Sequence, residues 1–283
     1  MTDRYAVIGH PVAHSKSPEI HAAFAHETRQ DLSYERVLAP LDKFRQTVSA
    51  WRDSAAAGAN ITLPFKLEAF EFATVRTARA SRGGAVNTLK FEGAEIIGDN
   101  TDGVGLCRDI VDNLGFAIVG KRVLLVGAGG AAHGVAGALL DAGPALLAIT
   151  NRTLGKAEAI VEQLKLTGGG PDCEFRALEL AALPAARFDL IINATSASLN
   201  ANLPLVPVSC FAEGSLAYDM MYGMTATPFL KLAANSGART ADGLGMLVEQ
   251  AAESFALWRG LRPSTVPVLA MLRQAQAVAR PRN

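Results

Sequence analysis

Four short segments in the first half of the chain are richer in polar and ionisable side chains than packing alone requires. They comprise residues 14–18, 60–66, 87–88 and 99–102. Each segment is predicted to lie at a strand end or in a turn. Because ligands of open α/β sheets bind beyond the carboxyl ends of the strands, the four segments are expected to meet in one crevice. Their hydroxyl, amide, lysine and aspartate groups suit a small polyhydroxylated ligand.

Each of these residues also has an ordinary structural interpretation. Ser17 and Asp102 could be N-caps of helices, and Asn60 or Asn87 could close turns. Residues of these types occupy such local positions most often, so the prediction of a site depends on their convergence.

A glycine-rich turn follows an apolar strand in the second half of the chain. Residues 122–126 read RVLLV, and residues 127–132 read GAGGAA before a predicted helix. This is the GxGxxA form of the dinucleotide-binding fingerprint. Gly127 permits a tight turn, Gly129 admits a pyrophosphate, and Ala132 allows the helix to pack closely on the strand. The unpaired N–H groups of the helix start favour an anion, so residues 121–153 predict a dinucleotide-binding βαβ unit.

The residues after the second strand of this unit indicate which dinucleotide binds. An NAD-binding unit carries Asp or Glu about 20 residues beyond the fingerprint, whereas this chain has Asn151, Arg152 and Thr153 there. A planar guanidinium matches a 2′-phosphate, and Lys156 in the first helical turn opposes the helix dipole unless an anion lies nearby. These residues favour NADP. The alternative is that Arg152 and Lys156 are solvated surface charges.

The order of apolar runs predicts an α/β protein, and 283 residues provide room for two domains. The first unit alternates strands at 5–9, 34–38 and 60–63 with helices at 18–29 and 41–57. A hairpin at 86–98 and a helix beginning near Asp102 follow. The second unit has strands at 123–126, 145–150, 190–193 and 216–219, and a flexible loop is predicted at 167–171. Helices at 244–258 and 267–279 end the chain, and the sequence leaves open which sheet they cover.

The composition argues against several classes of partner. The 27 lysines and arginines balance 27 aspartates and glutamates, so no overall field attracts nucleic acid or an anionic membrane. The chain has no apolar stretch of membrane-spanning length and its first residues lack a signal-peptide core, so we expect a cytoplasmic protein. Cys107, Cys173 and Cys210 are expected to be reduced, mostly buried thiols. The histidines near the N-terminus match no ligand pattern, so no metal is expected.

Motifs along nearly the whole chain resemble those of one enzyme family. In order they are residues 7–18 (VIGHPVAHSKSP), 58–66 (GANITLPFK), 84–89 (GAVNTL), 98–103 (GDNTDG), 126–132, 151–153, 193–195 (NAT), 218–222 (YDMMY) and 242–250 (DGLGMLVEQ). They resemble the successive signatures of the shikimate dehydrogenases in the shikimate/quinate dehydrogenase family. Residues 82–84 (RGG) and 77–78 depart from the usual pattern, which affects the expected loop shape and no catalytic position.

The resemblance implies an α/β fold of two domains separated by a cleft. It implies an N-terminal α/β substrate-binding and catalytic domain, formed by residues 1–102 plus 246–283, and a Rossmann-type doubly wound NADP-binding domain at 103–245. It implies that the substrate carboxylate is bound by Ser15 and Ser17, helped by Tyr222. The implied neighbours of the substrate hydroxyls are Asn60, Thr62, Asn87, Asp102 and Gln250. The implied cofactor residues are Gly127, Ala128, Gly129, Gly130, Ala131, Asn151, Arg152, Thr153, Lys156, Met220 and Gly243.

The implied reaction is the NADP-dependent, reversible reduction of 3-dehydroshikimate to shikimate in aromatic amino acid biosynthesis. Hydride reaching a ketone carbon creates negative charge on oxygen, which needs a proton donor within hydrogen-bond reach. Lys66 is the predicted donor, and Asp102 is predicted to orient it. A quinate or dual quinate/shikimate dehydrogenase is the alternative within the family. A non-catalytic NADP-binding sensor is the alternative from another class, although a sensor needs no such pair. The chain is expected to be a monomer or a homodimer.

Overall fold

The computed structural model describes residues 2–168, 173–195 and 206–279, and within these residues two six-stranded sheets organise the chain. The first sheet contains β1 (Asp3–Gly9), β2 (Leu32–Leu38), β3 (Gly58–Ile61), β4 (Val75–Arg76), β5 (Thr88–Glu92) and β6 (Glu95–Asp99). The second contains β7 (Arg122–Val126), β8 (Leu146–Thr150), β9 (Glu174–Ala177), β10 (Phe188–Asn193), β11 (Phe211–Asp219) and β12 (Arg239–Asp242).

Ten α-helices lie within the described residues. They are α1 (Ser17–Thr28), α2 (Phe44–Asp53), α3 (Lys66–Phe72), α4 (Ala78–Gly83), α5 (Asp102–Arg108), α6 (Gly130–Asp141), α7 (Leu154–Leu166), α8 (Pro228–Asn235), α9 (Leu244–Arg259) and α10 (Val266–Ala279). A π-helical turn at Asp109–Asn113 continues α5.

The second sheet is parallel throughout, in the order β12-β11-β10-β7-β8-β9. Its strand order reverses between β7 and β10, which is the doubly wound arrangement predicted from the fingerprint. The central strands are apolar because helices cover both faces: every residue of β8 is buried. One face packs on α6 and α7, and the other packs on α8.

The first sheet has the order β2-β1-β3-β5-β6-β4 and is mixed. β1 pairs in parallel with β2 and β3, whereas the predicted hairpin, β5 and β6, is antiparallel. A core around Phe44, Trp51 and Phe65 holds α2 and α3 on this sheet.

The last two helices belong with the first sheet. α9 and α10 share a core with α1 that includes Phe24, Val248 and Phe255. Trp258 at the end of α9 donates its indole N–H to the Leu89 carbonyl at 3.0 Å and stacks on Tyr5. The chain therefore returns to its first unit after β12, as the resemblance implied, while the exact domain boundaries stay a prediction.

Some local predictions were wrong. The helix predicted at 41–57 is only Phe44–Asp53, and Leu41 is exposed. The sequence missed β9 and β12, which are the edge strands of their sheet and carry no buried apolar run. The thiols were predicted to be mostly buried; Cys210 is buried, whereas Cys107 and Cys173 are partly exposed. Of the loop predicted at 167–171, residues 169–171 lie outside the described residues.

Candidate active site

A cavity of about 1130 Å³ lies where residues of both sheets meet. Every predicted catalytic, substrate-binding and cofactor-binding residue lines it, from Ser15 in the first unit to Gly243 and Gln250 near the end of the chain. The four polar segments of the first half therefore converge on the fingerprint turn. Their individual roles stay predictions, but the convergence itself is a property of the fold.

Lys66 and Asp102 form an ion pair in the lining of this cavity. Lys66 is the first residue of α3 and Asp102 the first residue of α5. Lys66 Nζ lies 2.5 Å from Asp102 Oδ2, with side chains 13% and 6% exposed. Asp102 makes no side-chain cap of α5, so the N-cap interpretation of this residue was wrong. Its carboxylate instead orients the ammonium group.

The second oxygen of the Asp102 carboxylate is held from the first sheet. Asn87 Nδ2 donates to Asp102 Oδ1 at 2.9 Å and to Gln250 Oε1 at 3.2 Å. The Asn87 Oδ1 atom accepts from the backbone N–H of Thr101 at 2.9 Å. Asn87 therefore orients the carboxylate from the side opposite Lys66.

The serine pair lies at the start of α1. Ser15 Oγ donates to Ser17 Oγ at 3.1 Å and accepts from the Ser17 backbone N–H at 3.3 Å. Ser17 makes no side-chain cap of α1, so this N-cap interpretation was also wrong. Arg36 holds the loop by donating to the Ser15 carbonyl at 2.6 Å. Two hydroxyls beside a helix start offer a carboxylate several donors.

Tyr222 reaches this loop from the segment after β11. Its hydroxyl is hydrogen-bonded to the backbone of Lys16, and burial raises the pKa of Tyr222, so that it stays a protonated hydrogen-bond donor. The contact joins a residue of the second half of the chain to the serine loop of the first.

The cofactor-binding positions share one edge of the second sheet because the strand ends are in register. Val126 pairs with Thr150 and Asn193, Asn193 pairs with Asp219, and Asp219 pairs with Asp242. The predicted residues that directly follow these strands are Gly127, Asn151, Met220 and Gly243. Positions that are far apart in the sequence are thus brought to one wall by strand register.

The geometry of the fingerprint turn fits a dinucleotide. Gly127 has φ of +116°, and a Cβ there would lie 3.1 Å from the Ala194 backbone, so glycine is required. A Cβ at Gly129 would meet no atom within 4 Å, which leaves that backbone open to a ligand. At Gly243 a Cβ would lie 2.3 Å from the Met220 carbonyl oxygen.

Arg152 and Lys156 lie exposed on the cavity rim. Neither forms an ion pair with residues 2–168, 173–195 or 206–279. Asn151 Nδ2 donates to the Thr153 carbonyl at 3.0 Å and shapes the turn between them. Two cations without an acidic partner, beside the fingerprint, fit the extra phosphate of NADP.

The helix that follows the fingerprint turn, α6, directly contacts Lys66 and Asp102. A Cβ at Gly130, the first residue of α6, would lie 3.2 Å from Lys66 Cβ, and one at Gly134 would lie 3.0 Å from Asp102 Oδ2. Small residues on α6 therefore permit the second unit to pack against both ionic side chains.

Sequence reasoning missed several residues that line the cavity. The apolar ones include Leu180, Met246 and Leu247. They give no signal because buried apolar residues serve packing everywhere in the chain. Thr195 lay within the quoted motif at 193–195 and could have been found; its hydroxyl donates to Asn193 Oδ1 at 2.7 Å.

Comparison with known proteins places the chain in a family. Residues 7–89 match the shikimate dehydrogenase substrate binding domain, residues 109–202 match shikimate / quinate 5-dehydrogenase, and residues 243–276 match the shikimate 5'-dehydrogenase C-terminal domain. Shikimate dehydrogenase (NADP(+)) of Nitrosospira multiformis is 55% identical over 276 residues, covering 97% of this chain and 98% of that protein. The chain belongs to the shikimate/quinate dehydrogenase family.

Solved structures agree with the family assignment. An Ael1 enzyme from Pseudomonas putida is 48% identical, with a TM-score of 0.86 over 96% of this chain and 98% of that one. Shikimate 5-dehydrogenase from Thermus thermophilus, solved with NADP(H) and shikimate, is 34% identical, with a TM-score of 0.84 over 97% and 100%. The predicted α/β fold, a substrate domain with a Rossmann-like domain, is confirmed. Among the described residues we find no helix long and apolar enough to span a membrane.

Proposed function

We propose that the protein catalyses the NADP-dependent, reversible reduction of 3-dehydroshikimate to shikimate. The observation that carries the proposal is the Lys66–Asp102 ion pair, 2.5 Å long, in a cavity that the dinucleotide turn also lines. Relatives more than half identical to the chain are named for this activity with NADP(+). A proton donor and a hydride carrier facing one cavity are what a carbonyl reduction requires.

Lys66 serves as the proton donor in the reducing direction. Its ammonium group hydrogen-bonds the ketone oxygen, donates a proton as negative charge develops there, and recovers a proton afterwards. In the oxidising direction the neutral amine form of Lys66 accepts the hydroxyl proton. Asp102 holds the ammonium through Oδ2, while Asn87 keeps the carboxylate from rotating away through Oδ1.

The remaining cavity residues hold the two ligands. Ser15, Ser17 and Tyr222 bind the substrate carboxylate, and the ring hydroxyls lie among Asn60, Thr62, Asn87, Asp102 and Gln250. When bound, NADP supplies or accepts the hydride. Residues 127–131 would hold its pyrophosphate, the turn at 151–156 would hold its 2′-phosphate, and Met220 and Gly243 would complete its site.

The test is a matrix of two substrates against two cofactors. Initial rates of NADPH or NADH formation are measured with shikimate or quinate and with NADP+ or NAD+. We expect kcat/KM to be highest for shikimate with NADP+, and a preference for quinate with NAD+ would overturn the assignment. Lys66→Ala should lower kcat by about two orders of magnitude or more while NADP+ still binds.

Two outcomes separate the alternatives. NADP+ binding without turnover of either substrate would identify the chain as a sensor. Near-normal turnover of Lys66→Ala would refute the proton-donor role.

We further propose a cytoplasmic monomer or homodimer, and light scattering after gel filtration measures the assembly state.

A further inference from the structure

Ser254 lies behind the substrate side of the cavity without lining it. This α9 residue is 0% exposed, and its hydroxyl touches side chains from three other parts of the fold. Asn60 on β3, Thr88 on β5 and Thr101 before α5 lie at 2.9, 2.8 and 3.2 Å from Ser254 Oγ. A buried hydroxyl with this many partners constrains the direction in which each of them donates.

Hydrogen-bond donors fix the orientation of the Asn60 amide. Tyr34 donates its hydroxyl proton to Asn60 Oδ1 at 2.8 Å. The Nδ2 group must therefore face the other way, where it donates to Ser254 Oγ and, at 3.0 Å, to Thr88 Oγ1. The single hydroxyl proton of Ser254 has two acceptors, Thr88 Oγ1 at 2.8 Å and the Gln250 carbonyl at 3.1 Å. Ser254 thus acts as an acceptor towards the amide.

The same cluster fixes the Asn87 amide. Thr88 Oγ1 donates to Asn87 Oδ1 at 2.8 Å, and the Thr101 backbone N–H donates to the same atom. Asn87 Nδ2 is therefore directed at Thr101 Oγ1, at 2.9 Å, and at Asp102 Oδ1. Ser254 contacts the Thr88 hydroxyl, which donates to this amide, and the Thr101 hydroxyl, which accepts from it.

We propose that Ser254 is a positioning residue, which from α9 holds the amides of Asn60 and Asn87 in the orientation that meets the substrate hydroxyls. The proposal rests on the proposed function, because it assigns those amides to the ring of shikimate. Replacing Ser254 by alanine removes one of the acceptors of the Asn60 NH₂ group, which keeps Thr88 Oγ1 and the Asn87 carbonyl, and removes a contact of Thr88 and of Thr101. Both amides are then held by fewer hydrogen bonds. Substrate recognition is the property expected to suffer, since the partners of Ser254 are residues of the substrate side.

The test compares Ser254→Ala with wild type in steady-state kinetics. We expect KM for shikimate to rise up to about tenfold, the size of one lost hydrogen bond, with KM for NADP+ changed less than about twofold. Thr88→Val keeps the shape of the side chain and should likewise raise KM for shikimate while leaving KM for NADP+ nearly unchanged. It also serves as the test if Ser254→Ala fails to fold.

A matched control is available in Ser215→Ala. Ser215 is 1% exposed on β11, and its Oγ has no hydrogen-bond partner in the described part of the chain. This variant should keep both KM values.

KM values for shikimate analogues that each lack one ring hydroxyl distinguish a loss of amide orientation from a general loss of rigidity. The increase in KM caused by Ser254→Ala should be smaller for the analogue that lacks the hydroxyl bound by the amides. An unchanged KM for shikimate, or an equal loss on every analogue and on NADP+, would overturn the positioning role. A wild-type chain that does not oxidise shikimate would instead refute the proposed function.

Discussion

Asp102→Asn is the substitution that tests the catalytic geometry most directly, because it keeps the shape of the side chain and removes its charge. In the native chain both partners of the carboxylate, Lys66 at 2.5 Å and Asn87 at 2.9 Å, are donors. An asparagine offers one acceptor and one NH₂ group. Its NH₂ group must therefore face either the ammonium or the Asn87 amide, and one of these donors loses its partner.

The magnitude follows from these two losses. A charge-assisted hydrogen bond contributes at least about 1.5 kcal/mol, and an unsatisfied buried donor costs at least about 1 kcal/mol. If both losses fall on the transition state, they lower kcat by at least roughly 70-fold. KM for NADP+ should change little, because Asp102 acts on the substrate side of the cavity.

The assay is NADPH formation from shikimate under saturating cofactor, with thermal melting to verify folding. Asp141→Asn is the matched control: Asp141 pairs with Arg82 at 2.7 Å, but its side chain is 56% exposed, so the pair contributes little. The control should retain wild-type turnover. A kcat for Asp102→Asn within about threefold of wild type would contradict the orientation of Lys66 by the carboxylate.

Three further predictions concern other parts of the fold. Arg152→Gln should raise KM for NADP+ about tenfold and leave KM for NAD+ nearly unchanged, because the lost guanidinium binds only the 2′-phosphate; equal changes for both cofactors would contradict this. Gly134→Ala should lower kcat about tenfold, since its Cβ would lie 2.9 Å from Asn100 Nδ2 and 3.0 Å from Asp102 Oδ2 and must displace one of these buried side chains; the gain in helix propensity offsets only part of the crowding, so the melting temperature should also fall slightly. Burial lowers the pKa of His21 from 6.5 to about 3, so the unfolded chain binds a proton first as pH falls. Stability should therefore decrease by about 1.4 kcal/mol per pH unit below pH 6.5, and urea unfolding of His21→Phe should show a shallower decrease than wild type.

The second unit was the more predictable part of the fold. Its central strands are buried on both faces and read as apolar runs, and the glycine turn marks the end of β7. Once these strands are parallel and in register, Asn151 and Met220 must meet Gly127 at one edge. The edge strands β9 and β12 could not be found in the same way, because half-exposed residues leave no apolar pattern.

The candidate site was predictable only where chemistry or family likeness marked single residues. Lys66 and Asp102 were identified because a carbonyl reduction needs a proton donor. Ser254 carries no such mark, since a serine in an apolar helix resembles any other buried serine. Its contact with Asn60 joins residues 194 positions apart, a pairing that depends on how α9 returns to the first sheet. Local sequence patterns do not encode that return.

The packing of α6 links the two halves of the reaction. The start of this helix faces the dinucleotide turn, while Gly130 and Gly134 contact Lys66 and Asp102. Farther along, a Cβ at Gly103 of α5 would lie 2.6 Å from Ala138 Cβ, so the contact extends for more than one helical turn. Any rotation of the second unit about this seam keeps the dinucleotide turn, at the start of α6, next to Lys66. In the proposed mechanism, direct packing of one helix therefore sets the distance between the bound cofactor and Lys66, and larger side chains at its glycines should impair catalysis.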